Sequence, residues 1–162
     1  MSLPYSFELT KDGSYNFISE EGHSYLVYFS ESTLPDSDRN IHIVYNLWFS
    51  RNGDHTCKPF INKYDGKIRA TVIFIVNEFF QKNDHRTLIY FCFGDDGYSR
   101  HRNIVFNQWC KDLDISIEKH NGIILYENNH VYGSLIIVKD NPLKSLIVDS
   151  FNSYLEELKD YL

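Results

Sequence analysis

A period-two series of large apolar side chains constrains the fold of this chain more than any other feature. The series occupies alternate positions from residue 41 to residue 49: Ile41, Ile43, Tyr45, Leu47 and Phe49. A period of two places side chains on one face of a β-strand, where they can cover a core. The segment therefore predicts a strand of a sheet with at least one buried face.

Three shorter strands are predicted before this one. Alternation is visible over residues 5–9, 15–18 and 23–30, and turn residues separate these segments at 11–14 and 20–22. Residues 30–39 are polar and contain Pro35, so we expect a connection there. Strands joined by short turns are typical of an antiparallel meander.

Residues 68–82 leave two interpretations open. Their β-branched centre is compatible with a buried strand, but their length and the spacing of the apolar residues favour a buried helix. We favour the helix. A strand at residues 87–93 and a helix at residues 99–112 are expected to follow.

The last third predicts a short strand, a hairpin and a helix. The short strand covers residues 115–118, and the hairpin joins residues 123–126 to 131–139 through Asn128 and Asn129. Asn141 and Pro142 are suited to begin a helix. Its expected apolar stripe comprises Leu143, Leu146, Ile147, Phe151, Tyr154, Leu155 and Leu158.

Together these elements predict one α+β domain over residues 1–162, with residues 1–3 consistent with a cloning remnant. We expect an antiparallel-rich mixed sheet with a strand meander, two central helices and a C-terminal amphipathic helix.

Composition restricts the class of partner and the compartment. The net charge of −6 argues against a general nucleic-acid binder. Three unpaired cysteines and the lack of an apolar run long enough to span a bilayer favour a cytoplasmic bacterial protein without a membrane partner. A homo-oligomer stays open.

Residues 87–113 hold the densest mixture of charges, where a strand turns into a helix. Asp95 and Asp96 are suited to the turn, whereas Arg100 and Arg102 lie early in the helix, where its dipole does not favour cations. The arginines either pair with acidic groups or, with Ser99 and Asn103, form a ligand or anion surface.

Other chemistry has little support. The seven histidines lack the spacing of a metal site, and His55 with Cys57 has no second pair nearby, so no metal is expected. Neither a cysteine–histidine site nor paired catalytic carboxylates can be assigned. The catalytic residues, and whether the protein is an enzyme, stay unknown.

The order of elements resembles the core of the GCN5-related N-acetyltransferase fold. In that family the loop before the first central helix binds the acyl-CoA pyrophosphate. The resemblance implies that Gly66, Lys67 and Arg69 would bind this cofactor here. One glycine stands where the family motif has two, and Cys110 replaces the tyrosine that serves as general acid. The two helices that line the family's acceptor site are absent.

A second resemblance is closer in sequence. Phe79 and Phe80, the Tyr90–Cys92 strand end, the Asp95–Asp96 turn and the Arg100-x-Arg102-Asn103…Phe106-x-x-Trp109 helix are similar to a family of uncharacterised proteins from Bacteroidetes-type bacteria. This resemblance implies a shared fold and no particular reaction.

Three hypotheses follow. The first is an accessory or binding protein of unknown role, without a cofactor, whose surface joins residues 63–69 to residues 95–103. The alternative is an acyl-CoA-dependent N-acyltransferase, active or degenerate, with acetyl-CoA as cofactor. It requires a helix at residues 68–82 between two parallel strands that part from each other. A nucleic-acid-associated module is the third hypothesis, supported only by Arg100, His101 and Arg102.

Overall fold

The computed structural model describes residues 2–52, 65–82, 85–94 and 97–161. Within them the chain forms seven strands and three α-helices. In chain order these are β1 (Phe7–Leu9), β2 (Tyr15–Ile18), β3 (Ser24–Pro35), β4 (Ile41–Asn52), α1 (Gly66–Lys82), β5 (Thr87–Cys92), α2 (Ser99–Trp109), β6 (Ile117–Tyr126), β7 (Asn129–Val138) and α3 (Lys144–Tyr161). A single 3₁₀ turn, Cys110–Asp112, extends α2.

All seven strands belong to one sheet with the order β1-β2-β3-β4-β5-β7-β6. Every neighbouring pair is antiparallel except β4 and β5, which are parallel and joined by α1. The predicted α+β class and mixed, antiparallel-rich sheet are confirmed.

Helices cover both faces of the sheet. Leu47 of β4 lies in a core with residues of α1, including Val72 and Val76. Val44 of the same strand lies in a second core with Ile147 and Phe151 of α3. The period-two series therefore serves only the first core, through Tyr45, Leu47 and Phe49, whereas Ile41 and Ile43 are exposed. Val44 reaches the second core because neighbouring residues of a strand point to opposite faces. No helix in the described part of the chain is long and apolar enough to cross a membrane.

The helix predicted at residues 68–82 is confirmed and begins at Gly66. The β-branched residues at its centre are buried, and its Thr71 hydroxyl donates to the Lys67 carbonyl one turn earlier, at 2.7 Å. Tertiary burial of this apolar surface outweighs the local preference of its centre for a strand.

The polar connection predicted at residues 30–39 is wrong over its first half. β3 continues to Pro35 and pairs with β4 along its full length, from Ser24 opposite Asn52 to Pro35 opposite Ile41. A short turn closes the hairpin, because the Asp36 carboxylate accepts hydrogen bonds from the Asp38 and Asn40 amides, both at 2.9 Å. Side-chain polarity predicted a loop where strand pairing decides the structure.

The break predicted between residues 118 and 123 is also wrong, because β6 is continuous there. Gly122 pairs with Gly133 of β7, and both glycines lie beneath Leu155 of α3. The hairpin turns at Glu127 and Asn128, which both have positive φ, one residue earlier than expected.

The C-terminal helix is confirmed with a shorter apolar stripe. The side chain of Asn141 accepts a hydrogen bond from the Leu143 amide at 2.9 Å, as its predicted capping role requires. Leu143 and Leu146 are 46% and 41% exposed, so they lie outside the stripe that packs on the sheet.

Candidate functional site

The sheet opens between its two parallel strands. β4 and β5 pair only at Tyr45 with Leu88 and at Asn46 with Ile89. β4 then runs on to Asn52 and β5 to Cys92, without further pairing between them in the described residues. We call the gap between residues 47–52 and 90–92 the wedge. Backbone groups that face it have no partner from the neighbouring strand.

Aromatic side chains close the wedge on the side of α1 and α2. Phe49 of β4 meets Phe106 and Trp109 of α2 edge-on, each with ring centroids 6.1 Å apart. Phe106 also contacts Tyr90 of β5 at 5.2 Å. A crevice of about 20 Å³ remains among them, lined also by Leu47 and Cys110. It has room for about one water molecule.

A polar group of residues lies next to this crevice, on β5, β6, β7 and α2. The ammonium of Lys119 lies 5.2 Å from the centre of the Tyr90 ring. It donates hydrogen bonds to the side-chain oxygens of Asn107 and Asn121. Asn121 also accepts a hydrogen bond from the buried Ser134 hydroxyl at 2.9 Å. We call Tyr90, Asn107, Lys119, Asn121 and Ser134 the polar cluster.

Burial changes the protonation of the groups around the crevice. It lowers the pKa of Lys119 to about 8, so this amine is still mostly protonated at pH 7 but loses its charge at a lower pH than an exposed lysine. It raises the pKa of Cys92 and that of Cys110 to about 11, so both thiols stay protonated. Neither cysteine is therefore an activated nucleophile, because that role needs a thiolate.

The residues assigned to a cofactor phosphate lie at the start of α1 and already have partners. Lys67 forms an ion pair with Glu20 at the surface. Arg69 pairs with Asp112, which ties α1 to the end of α2. The Asp65 carboxylate accepts hydrogen bonds from the Lys67 amide at 2.9 Å and the Tyr5 hydroxyl at 2.7 Å.

The predicted ligand or anion surface is only partly described. Asp95 and Asp96 lie outside the described residues, as do His55, Cys57 and Lys63. Arg100 is exposed, whereas Ser99 is buried.

Two further residues of that surface, Arg102 and Asn103, have polar side-chain atoms directed into the domain. The guanidinium of Arg102 donates to the Phe93 carbonyl and so holds the turn between β5 and α2. The side-chain oxygen of Asn103 is buried without a hydrogen-bond partner in the described structure. Among the described residues, no cluster of histidine, cysteine and acidic side chains could hold a metal ion.

Sequence reasoning missed the polar cluster. Lys119 and Asn121 interrupt an apolar strand with polar side chains on the face that α2 covers. In the sequence, these polar residues instead predict that a short strand ends at residue 118. Tyr90 could not be singled out, because its neighbours are brought to it from three distant segments.

These features define an α+β protein whose sheet opens into a wedge between two parallel strands. The chain belongs to the family of unknown function DUF6169, whose model matches residues 64–153, more than half of the sequence. This confirms the expectation of an uncharacterised family. Comparison with curated proteins and with solved structures gives no significant match.

Proposed function

We propose that this protein binds an acyl-CoA thioester in the wedge and belongs functionally with N-acyltransferases. The observation that carries the proposal is the pairing of β4 with β5 at only two positions. The acyltransferase hypothesis requires a helix at residues 68–82, flanked by two parallel strands that part from each other. The described structure is compatible with both conditions.

The chemistry of the wedge suits the pantetheine arm of CoA. That arm is an extended chain with two amide groups, so it can pair with the free edge of a strand as a short peptide does. Residues 47–51 of β4 offer such an edge, because their far side pairs with β3 and their near side faces the wedge. Buried backbone groups gain free energy when a ligand supplies the missing partner.

The phosphates of CoA would then lie toward Gly66, Lys67 and Arg69. Lys67 is the most available cation, because its pair with Glu20 is exposed and surface pairs contribute little to stability. Arg69 and Asp112 are only 30% and 25% exposed, so that pair is better suited to holding α1 and α2 together. Asp65 would repel a phosphate at the nearest amide of α1.

The second candidate function is binding of CoA without transfer of an acyl group, and the closed crevice favours it. A cavity of about 20 Å³ cannot hold an acetyl group until Phe106 or Trp109 turns away. Under either candidate we place the protein in the cytoplasm with a small-molecule ligand. We do not propose a nucleic-acid partner, because Arg102 is directed at the Phe93 carbonyl and the chain is acidic.

Calorimetric titration with CoA tests the proposal. We expect Lys67→Ala to weaken binding roughly three- to tenfold through loss of a charge-assisted contact. Lys159→Ala is the matched control, because Lys159 is also an exposed, ion-paired lysine but lies on α3. No heat of binding at millimolar CoA, or equal weakening by both variants, would contradict the proposed site.

A further inference from the structure

The Tyr90 hydroxyl is a buried hydrogen-bonding group without a partner. Tyr90 is only 4% exposed, and its oxygen makes no hydrogen bond to any described residue. Ser134 lies opposite on β7, near enough to lower the pKa of Tyr90 against the larger effect of burial, but its hydroxyl donates to Asn121 and forms no well-aligned hydrogen bond with Tyr90. An unpaired buried hydroxyl destabilises the folded protein, and phenylalanine would fill the same space without that cost. Such a group calls for an explanation beyond packing.

The surroundings of Tyr90 suit an electronegative oxygen. Its side chain lines the crevice beside the wedge. The Lys119 ammonium lies against the ring and is held there by the hydrogen bonds that it donates to Asn107 and Asn121. A positive charge acts over a longer range in a poorly hydrated site, because little water screens it. The hydroxyl and the charge therefore favour a partner that carries negative charge.

We propose that the Tyr90 hydroxyl, with Lys119 as a positioning residue behind it, binds the carbonyl oxygen of a short acyl thioester. The inference rests on the proposed function and deepens it by naming the residue that recognises the acyl group. Other titratable groups at this place are the thiols of Cys92 and Cys110, which stay protonated because burial raises their pKa.

The same contact would assist transfer of the acyl group. When an amine adds to the carbonyl carbon, a C–N bond forms and negative charge develops on the carbonyl oxygen. The C–S bond then breaks, and the proton released by the amine ends on the leaving thiolate. Tyr90 donates its hydrogen bond throughout and keeps its proton, since burial raises its pKa well above the usual range. A fixed donor at that oxygen stabilises the charge that develops there.

The size of the crevice restricts the acyl group. About 20 Å³ is free, and the half-buried Phe106 and Trp109 are the side chains that can yield space. Leu47, Val72 and Ile136 line the remaining walls and are held in the core. We therefore expect an acetyl group rather than a long acyl chain.

The test compares two ligands that differ only at the carbonyl. Acetyl-CoA carries the oxygen, whereas S-ethyl-CoA has a methylene group in its place. In the wild-type protein we expect acetyl-CoA to bind about tenfold more tightly, as one buried hydrogen bond allows. In Tyr90→Phe we expect the two dissociation constants to agree within about twofold. Thermal unfolding should show Tyr90→Phe to be at least as stable as wild type.

Tyr25→Phe is the matched control, because Tyr25 is a buried tyrosine of the same core that does not line the crevice. It should keep the tenfold preference. If neither ligand binds to the wild-type protein, the proposed function fails. If both bind and Tyr90→Phe keeps the preference for acetyl-CoA, the proposed function stands and the role of Tyr90 is refuted. A preference that disappears in Tyr25→Phe as well would also refute it.

Discussion

Close contact between the sheet and α3 gives a sharp prediction at Gly122. A β-carbon added there would lie 2.1 Å from Cδ1 and 3.5 Å from Cγ of Leu155. Leu155 is 5% exposed and belongs to the core beneath α3, so its side chain has little freedom to move away. Gly122→Ala should therefore displace the helix from the sheet. Overpacking of this kind costs about 1–3 kcal/mol, and we expect the upper half of that range.

A double-mutant cycle assigns the cost to this contact. Leu155→Ala alone should cost about 2–5 kcal/mol, because it leaves a cavity. In the double variant the new methyl group enters that cavity, so the total should fall short of the sum by at least about 1 kcal/mol. Urea denaturation followed by far-ultraviolet circular dichroism measures all four free energies of unfolding.

Gly22 provides the matched control, because it has a φ of +81° and nothing within 4 Å of its added β-carbon. Gly22→Ala should lose stability through backbone strain alone and should add to Leu155→Ala within about 0.5 kcal/mol. Equal additivity for Gly122→Ala would refute the argument that the glycine makes room for α3.

Two further predictions concern pH. His42 donates a hydrogen bond that lowers the pKa of Asp36 to about 2, so stability should be lost as the pH falls from about 4 towards 2. Asp36→Asn should remove that acid dependence in urea titrations across this range, and an unchanged acid limb would contradict the assignment. Burial lowers the pKa of Lys119 to about 8, so the unfolded chain binds more protons above that pH and stability should rise between pH 8 and 10.5. Compared with Lys119→Met, wild type should gain about 1–2 kcal/mol over that interval, allowing for solvent screening at this half-buried site; parallel pH profiles would refute it.

Local patterns predicted most of the fold. The alternation around Leu47 and the length of the segment that became α1 are properties of short stretches, so the sequence could reveal a strand and a helix there. Asn141 likewise carries its capping signal in its own side chain and in its position before a proline.

Errors arose where a distant element decides the conformation. The sequence predicts a break between residues 118 and 123, yet Gly122 lies within a strand because it pairs with Gly133 of β7, and its missing side chain leaves room for Leu155. Residues 30–35 resemble a loop, yet β4 pairs with each of them. A single sequence contains no direct signal for such long-range pairing.

The candidate site was predicted only in part. The two parallel strands on either side of α1 were named only as a condition of the acyltransferase hypothesis, and the polar cluster was not predicted. Lys119 is brought to Tyr90 by the pairing of β6 with β7 and of β7 with β5. Of the two arginines assigned to the predicted ligand or anion surface, Arg100 is exposed, and Arg102 donates a hydrogen bond to the Phe93 carbonyl.

Amide hydrogen exchange with and without acetyl-CoA tests the wedge most directly. If the pantetheine arm pairs with the free edge of β4, some amides among residues 47–51 should exchange at least about tenfold more slowly at saturating ligand, because new hydrogen bonds protect them. Amides among residues 24–27 of β3, already paired on both sides, should change little. Saturating binding with unchanged exchange along β4 would contradict a ligand in the wedge.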